Sequence, residues 1–553
     1  MDRPGLATVP ADAFYASLDR WARERPASPA LHFVEDLQGS TSTLSFAEVA
    51  ELERRGASAL ASAGASVGDR VLLDLPTGPA FVAAILGALR IGAVPASVAP
   101  MAQRRGEAAE AEWQHHVEAT LPRVIATAGE VPATASITVL QAEAMLTGAA
   151  EEAPERVDPA GMRYVQFSSG STGSPKALVL GMPGIAFNLE RMRELIPIHD
   201  DDHIVSWLPM YHDMGLFGTL LLALHTGCQL TLMDPSLFAR SPLLWFTSIE
   251  RAGGRITVGP PSAMKASFEL LKRRPPESLD LSQCSRWICG SEQVTPELIA
   301  QYHEVLGPYG APREGLKPVY GMAEITLTAT LPPLGRGQVV EYLDRRRFEQ
   351  DHLAVIAEQG ERLGWTGVGR ILRDQQVQVT GDAGQPLPDG QVGHILLDSP
   401  SLFVGTLQGE EFTPRAAGWH DTGDLGYLRG EELFITGRAR ELIIKNGRNY
   451  APERIEELAS TVEGVGRGAA YGVFDADRQT ERAELIVEVH PRVLGDPAQR
   501  DGVRLAVRQA LARASYELDA VRLCARGSLP RTTSGKIRRS ACRAFIEAQE
   551  GAR

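Results

Sequence analysis

The stretch from Tyr164 to Leu180 constrains this chain more than any other. It reads YVQFSSGSTGSPKALVL, two short apolar runs separated by small and polar residues. Five hydroxyls (Ser168, Ser169, Ser171, Thr172 and Ser174) are interleaved with Gly170 and Gly173, and Pro175 and Lys176 close the segment. Glycines let successive backbone N–H groups turn toward one point, hydroxyls add donors, and a lysine adds a mobile positive charge. That set suits a polyphosphate. A flexible Gly/Ser linker has the same composition, but a linker has no reason to lie between strand-like runs or to end in Pro-Lys. In a Walker loop, by contrast, Gly-Lys-Ser/Thr opens straight into a helix. Here Lys176 is followed by Ala-Leu-Val-Leu, Gly181 and Pro183, so a strand and a turn are expected. The whole reads as a hairpin whose loop folds over phosphates.

A chain of 553 residues is too long for one ordinary core, so two or more domains are expected. The net charge of −13 argues against nucleic acid as the main partner. Of the five cysteines only Cys284 and Cys289 are close in sequence, and no second pair or nearby histidines complete a zinc site. Such thiols read as reduced and mostly buried, in a cytoplasmic protein. The N-terminus lacks a basic start followed by an apolar run, so no signal peptide is expected. No apolar run approaches membrane-spanning length, and no membrane partner is expected. From Thr436 onward, 21 Lys and Arg stand against 16 Asp and Glu, whereas the preceding residues carry the whole negative excess. That shift marks a separate C-terminal domain.

Helical spacing of Phe14, Leu18 and Trp21, and an amphipathic run over 45–63, open the chain. RVLLDLP, GPAFVAAILGALRIG and AVPASVAP then read as strand, helix and strand, and the alternation continues through 123–140. This is the α/β pattern of a largely parallel sheet covered by helices. A helix is expected at about 184–196, and then the strand IVSW runs into Pro209, Tyr211, His212 and Asp213. In open α/β sheets ligands bind outside the carboxyl ends of strands. ITVGPPSAM (256–264) and SRWICGSEQV (285–294) are two further strand-to-loop transitions. In VYGMAEITLTAT (319–330), Tyr320 offers a flat ring for adenine, Gly321 permits close backbone approach and Glu324 offers a carboxylate for Mg²⁺. Asp-Gly at 389–390 signals a hairpin. Asp424, in GWHDTGDLGY, can accept from two vicinal hydroxyls as carboxylates do on ribose, and Arg438 can serve the same sugar or a phosphate.

These motifs, in this order, resemble the adenylate-forming superfamily of acyl-CoA synthetases, adenylation domains and luciferases. The run WLPMYHDMGL (207–216), YGMAEITL and the charged segment 336–372 look most like fatty acyl-AMP ligases. The segment 336–372 is similar in position to the insertion that separates those ligases from CoA-using relatives. Amino-acid activation is disfavoured, because such domains place an aspartate after a phenylalanine where this chain has WLPMYHD. Pro261, Ser262 and Met264 replace the family's usual Gly-Pro-Asn-aromatic pattern, a departure that bears on acyl specificity.

The resemblance implies a large N-terminal domain of packed sheets and helices (1–437), a hinge (438–440) and a small mobile α+β C-terminal domain (441–553). It implies ATP and Mg²⁺ as cofactors, and a carboxylic acid, expected to be a fatty acid, as substrate. Ser168, Ser169, Gly170, Ser171, Thr172, Gly173 and Lys176 would hold the phosphates. Gly290, Ser291, Glu292, Tyr320, Gly321, Met322, Asp424, Ile435 and Arg438 would hold the nucleoside. Trp207, Met210, Met214, Phe217, Val258, Gly259 and Met264 would line the acyl site. Lys536, Glu324 and His212 are the catalytic candidates, with Glu324 and Thr172 on the metal. Arg440 stands where relatives carry a hinge Asp or Lys. The expected reaction is acyl-AMP formation followed by transfer to the phosphopantetheine thiol of an acyl carrier protein. Free CoA as acceptor and a non-catalytic nucleotide-binding regulator are the alternatives. Seven basic residues and no acid between Asp519 and Glu547 suggest a basic face for an acidic carrier.

Overall fold

The computed structural model describes residues 9–104, 106–132, 137–161, 163–168, 175–445, 448–475, 478, 480–531 and 537–551. Two largely parallel sheets form the N-terminal part. In the first, Arg163–Phe167, Val94–Ser97, Arg70–Asp74, Val124–Thr127 and Thr138–Gln141 run parallel, and Ala177–Gly181, Gly405–Gln408 and Glu411–Pro414 extend it antiparallel. In the second, Leu316–Pro318, Arg286–Cys289, Ile256–Gly259, His203–Ser206, Gln229–Met233 and Pro29–Val34 are parallel, with Thr41–Ser45 antiparallel at the edge. The sequence's strand–helix alternation therefore supplies two sheets where its pattern suggested one.

Local chemistry sets the elements between them. Phe46–Ser62 begins with a reciprocal cap, in which Glu48 N–H donates to Ser45 Oγ and Ser45 N–H to the Glu48 carboxylate. The next helix, Pro79–Arg90, is apolar on every side and almost wholly buried, as expected of a helix enclosed in a core. The two helices touch backbone to backbone: a β-carbon on Gly56 would lie 2.0 Å from the Ala83 carbonyl oxygen. Only glycine allows that approach.

A four-stranded antiparallel sheet of Gln376–Thr380, Gly393–Asp398, His420–Arg429 and Glu432–Arg438 follows. The Asp-Gly at 389–390 does not form a two-residue hairpin turn. Residues 381–392 join the first two strands, and this corner binds the next hairpin, with Gly390 N–H on Leu428 O and Gly430 N–H on Asp389. Residues 336–372 are more than a surface excursion. Val340–Asp344 and Arg362–Thr366 pair around the helix Arg345–Asp351, and Leu343, Leu363 and Trp365 pack on Tyr427 and Phe434. The last part of the chain gathers two cores of its own, built on the sheet of Val465–Asp475, Thr480–Val489 and Ala520–Ala525. All five cysteines are free and buried.

Two strands of the second sheet are tied at their entry ends. Arg286 donates to both carboxylate oxygens of Asp202, at 3.0 and 2.5 Å, and Asp202 is fully buried. Removing this cation leaves a buried carboxylate with only the more distant, half-exposed Arg255 at 3.6 Å and the His199 N–H as partners. Arg286→Ala is expected to cost about 3–5 kcal/mol, read as a lowered denaturation midpoint. An unchanged midpoint would show that the pair does not hold the sheet.

Candidate functional site

The carboxyl ends of the parallel strands converge on one region, and the chain's polar motifs sit there. Arg163–Phe167 and Ala177–Gly181 pair antiparallel, with Phe167 opposite Ala177. Ser168 N–H donates to Lys176 O at 2.9 Å and Lys176 N–H to Ser168 Oγ at 3.1 Å, so these two residues close the expected hairpin loop. The helix Glu107–Thr120 braces both stems. The His115 ring donates to Pro175 O at 2.9 Å, and the His116 ring lies 4.2 Å from that of Phe167. Lys176 is exposed. Ser169, Gly170, Ser171, Thr172 and Gly173 lie outside the described residues, as does Lys536.

Asp424 is the centre of the next group. It faces Arg438 across the hairpin, whose Nε lies 3.2 Å from Oδ1, and Tyr320 donates its hydroxyl to Oδ2 at 2.6 Å. Burial, and then the Asp424 charge, hold the Tyr320 hydroxyl well above its usual pKa, so it stays a donor. A carboxylate carries about four lone-pair positions, which leaves Asp424 acceptor capacity for further hydroxyls. Tyr320, Met322 and Ile435 pack on one apolar cluster beneath it.

Glu324 lies in the short turn Ala323–Ile325. A β-carbon on Gly321 would fall 1.8 Å from Leu327 O, so this doubled-back chain requires glycine there. Thr326 takes a φ of +71°, a costly conformation for a β-branched residue, and its hydroxyl is fixed on Ser401 O at 3.0 Å. Burial pushes the Glu324 carboxyl above the usual range. Asp213 and Asp424 push it the same way, while Arg438 opposes them. A half-buried carboxylate within the electrostatic reach of two others has reason to take up a cation.

After His203–Ser206 the chain carries the second carboxylate. His212 Nδ1 lies 2.6 Å from Asp213 Oδ1, which also accepts from Met214 N–H at 2.7 Å. Gln166 donates to Tyr211 O at 3.1 Å, tying this turn to the loop-bearing strand. Glu292 has a structural contact of its own. It accepts from Ser262 N–H at 2.8 Å and Ser262 Oγ at 2.9 Å, capping the helix Pro261–Arg273. Ser291 adopts φ +70° and donates to Met214 Sδ at 3.3 Å. Gly290 packs beside Val319.

A pocket partly open to solvent, with an internal volume of about 50 Å³, adjoins these groups. Met214 and Val258 line it as expected, together with Asp213, Ser291, Tyr320 and Gly321. Trp207, Met210, Phe217, Gly259 and Met264 are not in its wall. Helical phase explains the difference. Met214, Gly218 and Leu222 are four residues apart and share the cavity face. Phe217 meets Tyr164 edge-on instead, at 5.4 Å. Trp207 stacks on Phe238 at 3.7 Å, Met264 packs in the second core with Trp245 and Trp287, and Gly259 abuts Trp245. Met210 belongs to the main core. Asp213, Gly218, Met192 and Thr328 line the cavity without having been singled out as site residues. For Asp213 and Gly218 the signal was present, since they lie one and four residues from Met214.

Three of the seven basic residues near the C-terminus are held in ion pairs. Arg522 pairs with Glu484 and Arg531 with Glu488, while Arg539 is held by Glu441, Glu453 and Glu456. These acids lie earlier in the chain and meet the run only on folding. A bridge between Arg531 and Ile537 closes the segment that contains Lys536.

Two parallel sheets, an antiparallel sheet bearing the Asp424 hairpin and a small C-terminal α+β unit define the fold of adenylate-forming enzymes. The chain belongs to the AMP-binding enzyme family, which it matches over residues 18–407. A putative acyl-CoA synthetase of Caulobacter vibrioides is 34% identical over 87% of this chain and 86% of that protein. A long-chain-fatty-acid–AMP ligase of Mycolicibacterium smegmatis, FadD32, is 28% identical over 96% and 93%. Among solved structures, one from a study of fatty acyl-adenylate ligases of E. coli and L. pneumophila gives a TM-score of 0.87 at 28% identity, covering 99% of this chain and all of that one. A L. pneumophila fatty acyl-adenylate ligase in complex with acyl adenylate and pyrophosphate gives 0.73 at 25%, covering 97% and 96%.

Asp424→Asn keeps the shape of the hairpin node but removes its charge. Nucleotide affinity is expected to fall by about 1.5–3 kcal/mol, roughly 10- to 150-fold, in calorimetric titration with ATP. Unaltered affinity would place the ribose elsewhere.

Proposed function

We propose that this protein activates a fatty acid as acyl-AMP with release of pyrophosphate, and then passes the acyl group to a carrier-protein thiol. The observation that carries the reading is the shared wall. Tyr320 donates to Asp424 in the nucleotide node and, with Gly321 beside it, also lines a largely apolar pocket that opens to solvent. The names of FadD32 and of the L. pneumophila complex support the same chemistry.

In this reading Asp424 holds the ribose hydroxyls, with Tyr320 and Arg438 fixing its position. A carboxylate oxygen of the substrate attacks the α-phosphorus, the bond to the bridging oxygen breaks, and pyrophosphate leaves into the loop 168–176. Charge grows on the phosphoryl oxygens, so the protein's service is electrostatic and positional. Lys536 would neutralise the attacking and α-phosphoryl oxygens. Glu324 fits Mg²⁺, which when bound would neutralise phosphate charge. Among the described residues no group of three or more His, Cys, Asp or Glu could hold a metal. Mg²⁺ is commonly held by one or two carboxylates and substrate phosphates, the arrangement Glu324 would serve here.

Residues 438–440 would be the hinge. Ala439 N–H is bonded to Gly423 O and Arg440 is exposed. The segment 336–372 supports a carrier acceptor over free CoA, because it grips the C-terminal part. Arg345 donates to Ala514 O and lies 4.4 Å over the Tyr516 ring. Ser515 donates to Glu361 at 2.9 Å, and Arg448 pairs with Glu349 at 2.6 Å. These contacts oppose the rotation that CoA use would need.

The test is a panel of carboxylic acids in ATP–pyrophosphate exchange. Saturated fatty acids should be activated, and Lys536→Ala should lower exchange by roughly 10²–10³-fold while ATP still binds. Exchange only with amino acids or dicarboxylates would overturn the reading. For the acceptor, the wild-type protein should transfer to a phosphopantetheinylated carrier and yield little acyl-CoA. Arg345→Ala should raise the acyl-CoA yield several-fold over wild type. Rapid wild-type turnover with CoA would favour an acyl-CoA synthetase instead.

A further inference from the structure

One hydroxyl in the acyl cavity takes no part in the reaction derived above. Thr328 opens the strand Thr328–Leu331 and lines the cavity beside Leu327 and Leu331. Its backbone is held from both sides by one buried side chain. Thr328 N–H donates to Asn188 Oδ1 at 3.1 Å, and Asn188 Nδ2 donates to Thr328 O at 2.9 Å. The residue is therefore fixed with respect to the wall. Its hydroxyl donates to Met192 Sδ at 3.1 Å, and Met192 is itself a wall residue. A thioether is a weak acceptor, and a hydroxyl has two acceptor lone pairs besides its proton.

The neighbouring wall is apolar. Ile196, Ile198, Leu222, Ile256 and Ile288 make no polar contact with a chain, and the other polar lining groups, Asp213, Ser291 and Tyr320, belong to the turns that carry the candidate nucleotide and metal residues. A valine at 328 would fill similar volume without a polar atom to bury. A single fixed polar group in an apolar wall is how small-molecule sites set orientation and selectivity.

We propose that Thr328 is a specificity-determining residue that recognises an oxygen substituent, hydroxyl or oxo, on the acyl chain. The inference rests on the acyl-AMP reading of this cavity. A substrate hydroxyl donates to Thr328 Oγ1 while the threonine proton stays on Met192. An oxo group instead draws that proton from sulfur to a better acceptor. A plain chain still binds, because Met192 keeps the threonine hydroxyl partnered. The discrimination is accordingly that of one neutral hydrogen bond exchanged for a weaker one.

The experiment uses the full chain in ATP–pyrophosphate exchange. The substrates are saturated acids of one length, plain or bearing a hydroxyl or oxo group at successive carbons. At one substituent position kcat/KM should exceed that of the plain acid by roughly 3- to 10-fold. That ratio should collapse to near one in Thr328→Val and survive in Thr328→Ser, which controls for disturbed packing. Activation of plain acids with no favoured position, or an unchanged ratio in Thr328→Val, overturns this inference alone. Failure to activate any acid overturns the acyl-AMP reading and this inference with it.

Discussion

The Asp424 carboxylate, shared by the Tyr320 hydroxyl and the Arg438 guanidinium, is the contact on which the site depends. Tyr320 follows the last strand of the second parallel sheet, while Asp424 and Arg438 lie on paired strands of the antiparallel sheet. One buried charge thus joins two layers that have no strand in common. Both donors offset its cost, because a buried carboxylate that loses a partner keeps its desolvation penalty. The same contact reaches the C-terminal part, since Arg438 ends the strand from which that part departs.

Around this node the protein separates polar from apolar work by backbone geometry. The doubled-back turn at 321–327 carries Glu324 and leaves Leu327 and Thr328 in the cavity wall. The strain at Thr326 is stored where two functions meet, and a hydrogen bond to Ser401 holds it. In the same wall, residues four apart, Met214, Gly218 and Leu222, share one helical face, and Gly218 lets the Leu327 side chain pack close against it.

Much of this was legible in the sequence because the signals were local. The hairpin over 164–180, the Asp424–Arg438 hairpin, the cap at Ser45 and the helix near 184–196, found at Met182–Leu195, follow from runs whose partners are a few residues away. The cavity lining was legible only in part. Met264 and Phe217 have the right composition, but side-chain direction is set by helical phase and by neighbours such as Trp245 and Tyr164. Glu292 reads like a ligand-binding acid in its motif, and the fold adds a partner the motif does not show, Ser262, thirty residues earlier.

Charge shows the division most clearly. The sequence by itself determined the α/β class, the order of motifs and the presence of a compositionally distinct C-terminal part, because these depend on periodicity and on residue types close in the chain. Only the tertiary structure decided which charges are free. Arg522, Arg531 and Arg539 read as a basic stretch, but Glu484, Glu488 and Glu456 meet them across the fold. It also decided that the segment 336–372 grips the turn at 514–516, and that Thr328 shares a wall with Met192. The reason is physical: pairing, burial and cavity shape arise between residues far apart in sequence, and no local pattern encodes which of them will meet.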